Sequence, residues 1–262
     1  MKKNLLRQKL NDGQPTVSTH IHSTWPSIVE AIGHTHMYDY VEFVAAYAPS
    51  DLHDLDNLCR AGELHNLGMM IKVDQNHQAY LAQRGIGSGF DSVLFTNLAS
   101  PEDVEECIRI AAPDTLEDNG LYGAETRRNS YMGYIATAEY VQSVRDIVVA
   151  IMIEQKKAVD CLEDILSVPG IDMVQWGPAD YSMSSGRVGE RNHPEVIAAR
   201  NKVFKMAIDR GIAARVEIES IDEAKEYLDM GVRHFSIGTD FKILFSWWKE
   251  NGEKLQKLIS EA

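Results

Sequence analysis

Cysteine is scarce in this chain, with three among 262 residues, at positions 59, 107 and 161. The number is odd, the spacing is wide and no metal-ligand rhythm links them, so a disulfide framework and a thiolate metal site are both excluded. Each falls in an expected helix, which reads as buried thiols in a reducing cytoplasm. Long apolar runs are missing too. None approaches the roughly 18 residues a membrane helix needs, and the opening MKKNLLRQKLNDGQ lacks the apolar centre of a signal peptide, reading instead as a short polar amphipathic helix. Basic residues are outnumbered, 26 Lys and Arg against 39 Asp and Glu, for a formal net charge of −13. No cationic stripe exists to neutralise phosphates, which argues against nucleic acid and anionic membranes as partners. A carboxylate-bearing substrate would need local groups or a metal to capture it against the overall field.

What is present is alternation. Strand-like runs occur at 16–22, 38–45, 68–74, 92–98, 147–154, 172–178, 213–219 and 234–240, with helical patterns between them. Apolar residues in those patterns recur at three- and four-residue steps, giving one buried face each. Capping residues open several, as in Ser100-Pro101-Glu102-Asp103, and glycine closes others, as at Gly211 and Gly231. Eight β-then-α units predict an α/β fold, a parallel sheet closed as a (β/α)8 TIM barrel. An open doubly wound sheet is the competitor, but no G-x-G-x-x-G follows the first strand. With no repeat and no low-complexity linker, residues 1–262 read as a single barrel domain with an N-terminal helix and a C-terminal helical extension. The one long irregular connection, 113–134, reads as an ordered lid or an assembly contact.

Loops at the carboxyl ends of barrel strands converge on one mouth, so the last residues of each strand are the chemical candidates. They are His20 and His22, Tyr47, Lys72 and Asp74, Glu154, Asp180, Glu217 and Glu219, and Asp240. Glu154 and Asp180 leave adjacent strands, and carboxylates brought that close repel unless a proton or cation lies between them. Hard divalent ions favour such oxygen ligands. Helix and turn capping by the same two residues, or a general acid/base carboxylate pair, are the other readings from position alone.

The run AIMIEQKKAVDCLEDILSVPGIDMVQWGPADYSMSSG, 150–186, resembles the metal-dependent 2-oxo acid aldolases of the 4-hydroxy-2-oxoheptanedioate and 2-keto-3-deoxysugar acid type, within the citrate lyase beta-like superfamily. The shared features are an I-E at a strand end, a helix, a V-x-G-[IV]-D spacer and G-P-A-D-x-S; downstream HPEV, a final I-G-x-D and the upstream MYDYVEF with Ala48-Pro49 fit as well. The resemblance implies that Glu154 and Asp180 bind a divalent ion, Mg2+ or Mn2+ with Co2+ as a further candidate. It implies that a 2-oxo acid chelates this ion and that backbone N–H groups at Gly177 and Ala179 hold the substrate carboxylate. It also implies a pyruvate enolate, an aldehyde partner, and a homo-oligomer, hexameric or dimer-based, with exchanged C-terminal helices.

Two family positions are changed. The family's base histidine after the second strand is Tyr47 here, with Val44 replacing an aspartate, and the arginine ending the third strand is Lys72. Tyrosine, with an ordinary pKa near 10, is a poor base at neutral pH, and lysine lacks arginine's bidentate fork. Decarboxylation of a 2-oxo diacid, which needs the metal alone as electron sink, and non-catalytic binding of a metal-chelated keto acid are therefore alternatives to aldol chemistry. His20 and His22 share one side of a strand and reach either the mouth, replacing the lost base, or the helix layer. Glu42, inside a strand, is read as a paired structural carboxylate. Arg127-Arg128 suits a subunit contact more than a substrate carboxylate, and Schiff-base chemistry at Lys72 is a minor alternative. Trp247 and Trp248 are adjacent on the final helix and cannot both face one core, which suggests an interface.

Overall fold

Runs rich in β-branched and long apolar residues form the strands β1 (Thr16–Ile21), β2 (Tyr40–Val44), β3 (Gly68–Val73), β4 (Ser92–Phe95), β5 (Val148–Ile153), β6 (Met173–Trp176), β7 (Ala213–Ile218) and β8 (His234–Thr239). The computed structural model describes residues 3–124 and 133–262. The strands pair in sequential order and close as a barrel, β8 returning to β1, and the pairings are parallel throughout. β3 and β5 are buried along their full length, as expected of strands covered on one side by helices and filled on the other. The (β/α)8 expectation holds.

Two apolar clusters result. The larger lies between strands and helices and includes Ile21, Phe43, Ile71, Phe95, Ile151 and Phe204. The smaller fills the lower barrel: Tyr40, Met70, Leu94, Val148, Ala150, Met152 and Met173 pack with Leu6 of the N-terminal helix Leu5–Asn11. That helix is a plug. Asn4 Nδ2 donates to the carbonyls of Asp91 and Asp146, and Arg7 grips both carboxylate oxygens of Asp172 at 2.5 and 2.6 Å. The barrel floor is thus closed by apolar contact and a bidentate ion pair.

The helical pattern expected between β5 and β6 is two pieces, Lys156–Asp160 and Leu162–Ile165, because Cys161 (φ −109°, ψ 28°) leaves the helical region. Cys161 is accordingly half-buried, so the buried-thiol expectation holds for Cys59 and Cys107 only. Part of the 113–134 connection is pinned, Pro113 bridging to Tyr122 and the Tyr140 hydroxyl donating to Gly123 O. Arg127 and Arg128 lie outside the described residues. The final helix, Asp240–Ser260, leaves the barrel with Phe241, Trp247, Trp248 and Leu258 exposed.

His234 opens β8 beside Arg215 of β7, its Nδ1 3.0 Å from the Thr16 hydroxyl. Burial, then the positive charge of Arg215, push its pKa down to about 4. The folded state therefore binds fewer protons than the unfolded state between pH 6.5 and 4. Stability should fall as pH drops through that window, by about 3 kcal/mol from this residue. Urea midpoints measured across pH 7 to 4 should decline, and His234→Gln should flatten the decline.

Candidate functional site

The barrel's middle layer is polar. Arg215, on β7, is wholly buried. Its Nε donates to Tyr40 Oη at 2.7 Å, Nη1 donates to Gln175 Oε1, and Nη2 lies 2.6 Å from Glu42 Oε2 without hydrogen-bond alignment and 3.4 Å from Ser18 Oγ. Glu42 is equally buried, so it is the paired carboxylate expected of it. Burial pushes its pKa up, but Arg215, then His20 and Lys72, hold it below the ordinary value. Gln175 passes the order upward, Nε2 donating to Glu217 Oε1 at 2.7 Å. Removing either member of the Arg215–Glu42 pair would strand a buried charge, at a cost of about 3–5 kcal/mol. Sequence reasoning did not single out Arg215; an arginine amid the apolar residues of AARVEI was the available signal, since such a charge needs an anion.

At the mouth, Glu154 follows β5 and is buried. Asn97 N donates to its Oε1 at 2.8 Å, while Oε2 takes no hydrogen bond among the described residues and faces Gly177. A Cβ at Gly177 would lie 2.5 Å from Glu154 Cβ and 2.7 Å from Oε2. Asp180 sits in the first turn of the helix Pro178–Ser184, half-buried. Burial raises the Glu154 pKa; the Asn97 N–H and Lys72 oppose this, and the Asp180 and Glu217 charges add to it. The two carboxylates therefore share one electrostatic space, as strand adjacency suggested. Hard oxygen donors, one buried and one open, with a side-chain-free position between, fit a divalent cation with water and substrate in its other positions. Among the described residues no group of three His, Cys, Asp or Glu side chains gathers as a cage that could hold a metal ion.

Of the two backbone donors expected around G-P-A-D, Gly177 N is already bonded to Ile153 O at 3.0 Å. Only Ala179 N is without an acceptor among the described residues, as first-turn N–H groups are. Gly177 serves the site through the side chain it lacks.

Lys72, on β3, is buried. Burial pulls its pKa down, but Glu42, then Glu217, Tyr47 and Glu154, outweigh burial and hold it above the ordinary value. The amine stays charged, which disfavours a Schiff-base role. Tyr47 is exposed, in the turn after β2, with its ring centroid 5.3 Å from Lys72 Nζ and 6.0 Å from the His22 ring. His20 and His22 face each other, rings 5.9 Å apart, on the mouth side. Burial, then His20, lower the His22 pKa. The other strand-end acids are occupied. Asp240 accepts from the N–H groups of His22, Ser23 and Phe241, Glu219 pairs with Lys242, and Asp74 accepts from His77 N at 3.3 Å. A cavity of about 970 Å³ opens between β6–β8 and the helices Pro194–Asp209 and Asp240–Ser260; His20, Glu217 and Thr239 line it together with Arg200, Tyr227 and Trp247, and neither Glu154 nor Asp180 does.

The chain is similar to a hydroxypyruvate/pyruvate aldolase of Paraburkholderia phytofirmans, 26% identical over 244 residues, covering 90% of this chain and 92% of the relative. Its fold matches a crystal structure of an HpcH/HpaI aldolase/citrate lyase family protein from Burkholderia cenocepacia, with a TM-score of 0.86, 24% identity, and 97% and 100% of the two chains covered. A more distant fold neighbour, the citrate lyase beta subunit from M. tuberculosis complexed with oxaloacetate and magnesium, gives 0.57 at 11% identity over 87% and 93%. Residues 22–246, from the end of β1 into the final helix, match the HpcH/HpaI aldolase/citrate lyase family, and the chain belongs to it.

Proposed function

We propose that this barrel acts as one domain, a divalent-metal-dependent carbon–carbon lyase that cleaves or forms a 4-hydroxy-2-oxo acid, with pyruvate as the enolate component and an aldehyde as partner. The observation that carries the reading is the buried Glu154 carboxylate, fixed through one oxygen by Asn97 and open through the other beside Gly177 and Asp180. Mg2+ or Mn2+, with Co2+ as a further candidate, would be held by Glu154 and Asp180 and would polarise the substrate keto group and stabilise enolate charge.

The chain's own groups do the rest. The charged Lys72 amine binds the substrate carboxylate or oxyanion, and Ala179 N–H supports the carboxylate. Cleavage requires the 4-hydroxyl proton to leave, and His20 accepts it in place of the family's missing histidine, with His22 beside it. Tyr47 lines the mouth over Lys72. The relative named hydroxypyruvate/pyruvate aldolase supports the substrate class. The exposed apolar residues of the final helix support a homo-oligomer, hexameric or dimer-based. Thiols without a disulfide support a cytoplasmic setting; among the described residues no helix is long and apolar enough to cross a membrane.

Protein stripped with a chelator and reloaded with Mg2+ or Mn2+ should release aldehyde from a panel of 4-hydroxy-2-oxo acids. Release of CO2 without aldehyde would mean 2-oxo diacid decarboxylation, and metal-dependent binding without turnover would mean a keto-acid binder. Gly177→Ala should push Glu154 aside and weaken Mn2+ affinity by at least about 10-fold in calorimetry. Tyr47→His should leave the cleavage rate little changed, because His20 already accepts the proton; a large gain would place the proton acceptor at position 47 instead.

A further inference from the structure

β1 and β8 do not run in simple register. Ser18 pairs with Ser236, but His20 pairs with Thr239, so β8 carries one extra residue between these points. Gly238 absorbs it with φ +77°, a backbone conformation that favours glycine. Its carbonyl is held by the Thr19 hydroxyl at 3.1 Å. Bulges commonly re-aim a side chain next to an active site. Here the one that is re-aimed is Thr239. Its Oγ1 lies 2.6 Å from His20 Nε2, and both residues line the cavity between β6–β8 and the surrounding helices.

The other ring nitrogen also has a destination. His20 Nδ1 is buried without a hydrogen-bond partner, and the carboxylate facing it is Glu217, Oε1 at 3.9 Å. The groups that face His20 are His22 on its own strand, Glu42 on β2, Glu217 on β7 and Thr239 on β8, with the cations Arg215 and Lys72 set against Glu42 and Glu217. Glu42 is matched by Arg215 at 2.6 Å, so the carboxylate left to act on His20 is Glu217. Glu217 is not a drifting surface acid: Gln175 holds it, and Arg215 holds Gln175. Its side chain is one-third exposed, anchored from below and open above.

We propose that Thr239, His20 and Glu217 form a hydroxyl–imidazole–carboxylate proton relay, a reading that rests on the aldolase function and explains how His20 performs it. Glu217 keeps the hydrogen on Nδ1, which leaves Nε2 as acceptor and the Thr239 hydroxyl as its donor. In cleavage the substrate 4-hydroxyl gives its proton to Thr239 Oγ1 as Thr239 gives its own to His20 Nε2. The C3–C4 bond breaks, its electron pair moving to C3 as the enolate of pyruvate while C4 becomes the aldehyde carbonyl. The imidazolium then returns the proton through Thr239 to C3, forming the pyruvate methyl group. Thr239 touches the substrate, and Glu217 is a positioning residue.

The test joins kinetics of the Mn2+-loaded protein with nitrogen-15 spectra of the His20 ring. Thr239→Val, which keeps shape and removes the hydroxyl, should lower kcat by at least about 100-fold with little change in KM. Thr239→Ser, which restores the oxygen, should recover at least about 10-fold of that loss. In the spectra, His20 should carry its hydrogen on Nδ1, and Glu217→Gln should move it toward Nε2. Thr239→Val retaining wild-type kcat, or ring signals that ignore Glu217→Gln, would overturn the relay. Absence of aldehyde release by the wild-type protein would overturn the aldolase reading instead, and the spectra would still decide the His20–Glu217 arrangement.

Discussion

A guanidinium sits where a barrel of this size ordinarily has only hydrocarbon, and the upper half of the structure is arranged around it. Arg215 is satisfied on several sides at once, by Glu42, Tyr40, Gln175 and Ser18, which come from three other strands. Such a charge is tolerable only if its partners are fixed. The requirement runs both ways, since Glu42 without Arg215 would be an unmatched carboxylate at full burial. The pair divides the interior into an apolar floor and a polar chamber; Tyr40, Gln175 and Ser18 rest on it directly and Glu217 through Gln175.

Charge in the chamber is graded rather than uniformly acidic. Its lower level is neutralised internally, Glu42 against Arg215. At the upper level, among the described residues, Glu154, Asp180 and Glu217 outnumber the cation Lys72, and burial with this repulsion raises the Glu154 pKa. An acidic protein with such a mouth repels a 2-oxo acid unless a cation intervenes. On the proposed function, the excess of carboxylates is a place prepared for positive charge.

Legibility in the sequence followed the range of the interactions. The eight strands and their closure were readable because burial on both faces leaves continuous apolar runs, and parallel order follows from the intervening helices. The placement of Glu154 and Asp180 at neighbouring strand ends was readable because a strand end is a local feature and adjacent strands share a rim. The Glu42–Arg215 pair was half-readable: each charge sits conspicuously inside a strand, but their meeting depends on register across the barrel. The contact between His20 and Thr239 was not readable. It depends on one extra residue at Gly238 that shifts β8 against β1, and nothing in the local pattern HFSIGTD announces a displacement visible only against its neighbour. Likewise Gly177 read as a backbone donor, whereas its N–H is consumed by Ile153 and its use lies in the room it leaves.

The plug at the barrel floor has a consequence for how the chain acquires its shape. Arg7 closes on Asp172, a partner 165 positions away, and Asn4 on Asp146, 142 positions away. Contacts of such separation are entropically late, since the intervening loops must already be ordered before closure is rewarded. On a ribosome the first helix would have emerged long before its sockets existed, and it would wait, its leucines wet, while six staves assembled. Sealing the base is thus among the closing acts of folding, and a helix that emerges well ahead of its sockets is among the last elements to find its place.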